Sequence, residues 1–155
     1  MGKFQVEDNG GTAAGGVNLD PNAKVLYTRI VHPNHAPIGT TQTIAGRVNL
    51  TYTFKTSDFG FTDPNDSPPN SLLAVKITLL PTAGKILDNG VAVTANQFVS
   101  AADISSGKLV FKPTTNLSGG PFFLCKFQVE DNGGTAGGGV NLDPNPKVLY
   151  IRLNA

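Results

Sequence analysis

The residues best suited to chemistry in this chain are carboxylates placed in loops. Asp58, Asp63 and Asp66 fall in one stretch, SDFGFTDPNDSPPNS, and Glu130-Asp131 open a second, EDNGGTAGGGVNLDPNP. The phrase DPND offers two carboxylates and one amide within four residues, with a proline to limit their freedom. Calcium is a hard cation that takes roughly six to eight oxygen ligands from carboxylates, Asn side chains and backbone carbonyls. The same Asp and Asn residues also build turns, through side-chain bonds to their own backbone. Both readings apply to these loops.

Other chemistries find less material. His32 and His35 are the only histidines, and they lie in VHPNHAP with no Ser or Cys nucleophile motif beside them. Two histidines three residues apart could hold a transition metal, but a Pro-containing stretch of this kind reads as plain linker. No Cys/His cluster has zinc spacing. The glycine-rich TAGGGVNL does not open a helix as a phosphate cradle does; it lies between two strand-like stretches and reads as a flexible loop. The expectation is a protein that is not an enzyme.

Charge and composition narrow the partners. Twelve basic and eleven acidic residues leave +1, which predicts no nucleic-acid partner. No apolar run approaches the roughly 18 residues of a membrane-spanning helix, so no membrane insertion is expected. The opening MGKFQ lacks an apolar signal region, and Val6 stands where a myristoylation motif needs Ser or Thr. Met-Gly before a strand-like stretch reads as a piece cut from something longer. With 18 Gly, 11 Pro and only Glu7 and Glu130 as glutamates, turn formers abound and strong helix formers are few. That balance favours an all-β fold. The one cysteine, Cys125, cannot form an intramolecular disulfide; its strand alternation puts it among core residues as an inert thiol.

The chain carries an internal repeat. KFQVEDNGGTAAGGVNLDPNAKVLYTRI, residues 3–30, returns as KFQVEDNGGTAGGGVNLDPNPKVLYIRL, residues 126–153, at an offset of 123 without a gap. Four of the 28 positions differ: Ala14/Gly137, Ala23/Pro146, Thr28/Ile151 and Ile30/Leu153. Recent duplication, or a tandem array with this period, would produce such identity. The division expected is a partial copy of the last two strands in 1–31, a linker in 32–37 and one complete module in 38–155.

Within the module, TQTIA, NLTYTF, LLAVKITLL, KLVFKP, FFLCKFQV and KVLYIRL read as strands. GKILDNGVAVT is a hairpin turning at Asp88-Asn89-Gly90, and VSAADISSG holds one helical turn. About seven antiparallel strands suggest a sandwich of immunoglobulin-like size, with the N-terminal strand pair as an extension. Alternation places Phe123, Cys125, Phe127 and Val129 on the core side of the penultimate strand, and Leu124, Lys126 and Gln128 opposite. In the last strand Leu149, Ile151 and Leu153 share the inward face.

The order VEDNGG, long loop, KVLYIRL and then HPNHAP resembles the end of a cadherin-type repeat. The phrases FTDPNDSPPNSLLAVKI, NGVAVTANQFVSAADISSGKLVF and FQVEDNGGTAGGGVNLDP are similar to the cadherin-like tandem repeats of large bacterial surface proteins and adhesins. The resemblance covers nearly all of residues 33–155. It implies an immunoglobulin/cadherin-like β-sandwich that is extracellular or at the cell surface, serves as a structural or adhesive repeat, and binds calcium. The family's calcium ligands carry over to Asp63, Asp66 and Asp131, and to Asp8 as the copy of Asp131.

Two further functions compete with that one. The first is a self-assembling fibre subunit. Its N-terminal copy, with Leu26, Thr28 and Ile30 as the inward face, would add to a sheet edge of an identical subunit, head to tail. The partners on these two readings are neighbouring repeats or identical subunits. The second is a carbohydrate-binding β-sandwich, for which three tyrosines and no tryptophan make a poor aromatic platform.

Overall fold

Short runs of Val, Ile, Leu and Phe, cut by Gly, Pro, Asn and Asp, can bury apolar surface only by pairing as strands. The computed structural model describes residues 2–27 and 32–155, and it is mostly β-strand with one short helix. Two units separate along the chain, Met1–His32 and Pro33–Ala155.

In the larger unit, β3 (Gln42–Arg47), β5 (Leu72–Leu79), β8 (Gln97–Ser100), β10 (Gly119–Asp131) and β11 (Lys147–Asn154) form a five-stranded sheet in the order β3-β11-β10-β5-β8. A second sheet joins β4 (Tyr52–Thr53), β9 (Leu109–Pro113), β6 (Gly84–Asp88) and β7 (Val91–Ala92) in the order β4-β9-β6-β7. Both sheets feed one hydrophobic core: Val75, Ile77, Phe127 and Ile151 from the first, Ile86, Leu109 and Phe111 from the second. Phe59 lies fully buried in a 3-10 turn and packs edge to face on Phe127, with ring centroids 5.0 Å apart. The β6–β7 hairpin turns at Asn89 and Gly90, both at positive φ, where Asn and Gly are the residues tolerated best. α1 (Ala101–Ser105) is capped by the Ser100 hydroxyl, which accepts the Asp103 N–H at 3.0 Å.

Three features depart from the sequence reading. The larger unit has nine strands where about seven are expected, β8 being the strand the sequence reading lacks, and NLTYTF forms a strand only at Tyr52–Thr53. The pairing is not antiparallel throughout, since β3 runs parallel to β11, Leu149 opposite Gln42 and Asn154 opposite Arg47. The reason lies in the chain entering β3: the Gly39 N–H donates to buried Asp143 at 2.9 Å, so β3 begins where β11 begins. Finally, the facing of β10 changes partway along. A register shift between Phe123 and Cys125 leaves Leu124 as an extra residue against β11, and Leu124 and Cys125 are both fully buried. Before the shift it is Phe122, not Phe123, that packs on the core. After it, Phe127 and Val129 point inward as alternation predicts, and Leu149, Ile151 and Leu153 do so from β11. Burial pushes the Cys125 thiol up to about 12, which keeps it protonated and inert.

The smaller unit is a hairpin of β1 (Gly2–Phe4) and β2 (Lys24–Leu26). It repeats its copy bond by bond. Phe4 pairs with Lys24 as Phe127 pairs with Lys147. The Asp8 N–H donates to the Asn18 carbonyl at 2.8 Å, and that of Asp131 to the Asn141 carbonyl at 2.9 Å. Gln5 reaches the Asp20 carbonyl, and Gln128 the Asp143 carbonyl, both at 2.8 Å. Even the left-handed residue is kept, Ala14 at φ 56° and Gly137 at φ 65°.

Candidate cation site

Three segments of the larger unit meet at the end of β10. One is the stretch 33–39, which takes in most of the linker expected at 32–37 and here lies along the module. Ile38 exchanges backbone bonds with Thr62 at 2.8 and 2.9 Å, and the Thr40 N–H donates to the Phe59 carbonyl at 3.1 Å. The second is the loop DPNDSPPN, residues 63–70. The third is the loop from Asp131 to Val140. Asn132 fastens the last two together: its carbonyl group Oδ1 accepts the Ser71 N–H at 2.9 Å, and its own N–H donates to the Ser71 carbonyl at 3.1 Å.

Asn34 occupies the middle. Its Nδ2 donates to Asp131 Oδ1 at 2.9 Å and to the Val140 carbonyl at 2.8 Å, while its Oδ1 accepts Asn70 Nδ2 at 2.6 Å. Its backbone carbonyl accepts the Val140 N–H at 2.9 Å. A methyl group at Gly133 would fall directly on the Asn34 amide, so the loop needs glycine there for close approach.

Asp63, Asp66 and Asp131 are all drawn into this network. The Asn70 N–H donates to Asp63 Oδ2 and its Nδ2 to Asp66 Oδ2 at 3.3 Å. Asp66 turns to His35, which meets it twice: backbone N–H to Oδ2 at 2.9 Å, and ring Nδ1 to Oδ1 at 3.0 Å. The His35 ring bond is the first cause holding the Asp66 carboxyl below its usual range. Asp131 Oδ1 accepts the Gly133 N–H at 2.8 Å as well as the Asn34 amide. Two oxygens remain without a partner although buried, Asp63 Oδ1 and Asp131 Oδ2. Their residues are 5% and 0% exposed. Burial pushes the Asp131 carboxyl above its ordinary range, and the charges of Asp63 and Asp66 add to that push.

No family model matches this chain, and no curated protein or solved structure matches it. The chemistry of the site therefore rests on the donors themselves. Among the described residues no group of three or more His, Cys, Asp or Glu side chains is placed to hold a metal ion on its own. A hard cation here would rely on the two orphaned carboxylate oxygens, with amide and backbone oxygens completing the shell. Buried carboxylate oxygens with no donor are costly, and either a proton or a hard cation such as calcium would relieve that cost.

Asp8 stands at the corresponding place in the smaller unit, where it accepts the Gly10 N–H at 2.7 Å. Leu26 ends β2 and is exposed; Thr28 and Ile30 lie outside the described residues. Asp58, the remaining carboxylate of the first loop, is spent on structure: it accepts the Lys55 N–H at 2.8 Å and the Tyr52 hydroxyl at 2.9 Å. Burial, followed by the Asp58 contact, raises the Tyr52 pKa. Sequence reasoning passed over Asn70, Asp143 and the role of Asn34. The one signal for Asn34 is its place in HPNHAP, the phrase that closes the likeness to the end of a cadherin-type repeat. Nothing in the sequence separates Asn70 from the other loop amides.

Proposed function

We propose that residues 33–155 are one repeat of a non-enzymatic structural or adhesive protein, extracellular or at the cell surface, with an immunoglobulin/cadherin-like sandwich fold stabilised by calcium. The observation that carries this reading is the pair of unpartnered buried oxygens, Asp63 Oδ1 and Asp131 Oδ2, where three loop segments meet. Asp63 and Asp131 would hold the ion, which would add a link between the loop before β5 and the β10–β11 loop; Asn34 already joins the segment before β3 to Asp131. The near-identical stretches 123 residues apart support a tandem array with that period.

The test is thermal unfolding of the full chain in millimolar calcium against a chelator. A ligand that binds only the folded state stabilises it by about 2.7 kcal/mol at a hundredfold excess over Kd. Melting is expected to rise with calcium and return with the chelator. An unchanged melting temperature would reduce these aspartates to turn formers.

The fibre-subunit reading keeps its place because the N-terminal hairpin carries apolar side chains that its copy buries, Phe4 and Leu26 among them. The carbohydrate reading gains no such support.

A further inference from the structure

The N-terminal hairpin is a second version of an element whose natural covering is visible elsewhere in the same chain. Phe4, Val6 and Leu26 are 45%, 60% and 59% exposed; their counterparts Phe127, Val129 and Leu149 are each 0% exposed. Local conformation cannot explain the difference, since the two hairpins share strand register, turn and side-chain bonds. What differs is the company. Phe127 and Val129 pair through β10 with Ile77 and Val75 of β5, and Ile151 of β11 lies beside Ile44 of β3.

The loop end of the hairpin carries the same message. A groove runs between Val6–Asp8 and Val17–Pro21. The equivalent positions of the larger unit are Val129–Asp131 and Val140–Pro144, and there the chain Asn34–Gly39 is seated. It is held by the Val140 N–H and carbonyl, by Asp131 Oδ1 and by Asp143 Oδ2. Val17, Asp8 and Asp20 offer the same groups in the smaller unit.

The covalent chain decides whose module this hairpin can complete. By the repeat, Ile30 corresponds to Leu153, at the far end of β11 from the Asp131 loop. Ile30 and Asn34 are four positions apart, a reach of at most about 14 Å. The strand from Lys147 to Leu153 alone spans about 20 Å, and the Asn34 seat lies beyond its start. The hairpin cannot enter the slot of its own chain while Asn34 and Gly39 keep their seats.

We infer that residues 2–27 are a docking element for a second copy of this chain, replacing that copy's β10–β11 hairpin and receiving its Asn34–Gly39 segment in the groove. This is replacement of a whole hairpin, with the inward face buried between strands, and so it differs from addition of one strand at an open edge. In the intact chain the tethered C-terminal hairpin holds the slot by its high effective concentration. The N-terminal copy takes over where that hairpin is disabled, and repetition of the contact joins chains head to tail.

The test mixes two full-length proteins and does not depend on calcium. The acceptor carries Leu149→Asp and Ile151→Asp, which unseat its own last strand, together with Phe4→Asp and Leu26→Asp, which keep its own N-terminal hairpin from serving as donor to another acceptor. The donor is the unaltered chain. Light scattering after chromatography is expected to show a 1:1 complex, whose cooperative melt the acceptor alone lacks. A donor carrying Phe4→Asp and Leu26→Asp, in a hairpin outside the module core, is expected to lose the complex at least tenfold. Absence of a complex with the unaltered donor overturns the inference. So does a complex of equal strength with the altered donor, since that would mark general stickiness of an unfolded acceptor.

Discussion

At Asp131 a single carboxylate serves two opposed demands. Its Oδ1 is held by the Gly133 N–H and the Asn34 amide, which fixes the loop; its Oδ2 is buried with nothing to accept. Burial is the larger influence and raises its pKa. Without calcium the folded protein therefore holds this proton more tightly than the unfolded chain. Its contribution to stability is full below the ordinary carboxylate range and is lost as pH rises through the raised value. Asp131→Asn keeps an oxygen for Gly133 and removes the charge. At pH 7 in chelator the variant is expected to melt at or above the temperature of the parent protein, and to lose its rise with calcium. Two melting curves for each protein check this. A variant that melts lower in chelator yet still responds to calcium would place the cation elsewhere.

Elements were legible where periodicity and turn chemistry agreed. LLAVKITLL, KLVFKP and KVLYIRL are strands, Asn89-Gly90 turns a hairpin, and one helical turn follows Ser100. What could not be read was set by partners distant in sequence. The shift at Leu124 exists because β10 must match β11 on one side and β5 on the other, and no local pattern announces it. The parallel β3–β11 pair depends on Gly39 meeting Asp143, 104 residues away. For the site, Asp63, Asp66 and Asp131 could be chosen from loop composition, while Asn70 was one amide among many until the loops met. The duplicated hairpin shows what local sequence does specify. Its turn recurs with Ala14 where the copy has Gly137, each near the left-handed region. A side chain at Gly137 would touch nothing within 4 Å, so replacing it tests backbone preference alone. Gly137→Ala is expected to cost about 1 kcal/mol in denaturant unfolding, the ordinary cost of left-handed geometry for a residue with a Cβ. A loss several times larger would mean that the loop depends on a conformation alanine does not reach.

On the scale of the whole chain, the two units differ in what they contain. Every residue of the hydrophobic core, and every donor of the candidate cation site, falls between Pro33 and Ala155. Among its described residues the smaller unit repeats a hairpin, with no counterpart of β5, of β3 or of the second sheet. A two-stranded hairpin by itself is marginal in water, since one face has nothing to pack on. Deleting residues 1–31 is therefore expected to leave unfolding of the module within about 0.5 kcal/mol of the full chain, as for a change remote from the core. The truncated protein should still gain stability with calcium, because Asn34, Asp63, Asn70 and Asp131 all remain. It should also lose the ability to act as donor toward the Leu149→Asp, Ile151→Asp acceptor. Denaturant titration, calcium-dependent melting and the mixing experiment read these three outcomes separately. A truncated chain that fails to fold would mean that the module draws on the N-terminal copy for its own core. The two hairpins would then be parts of one structure rather than one part held and one offered.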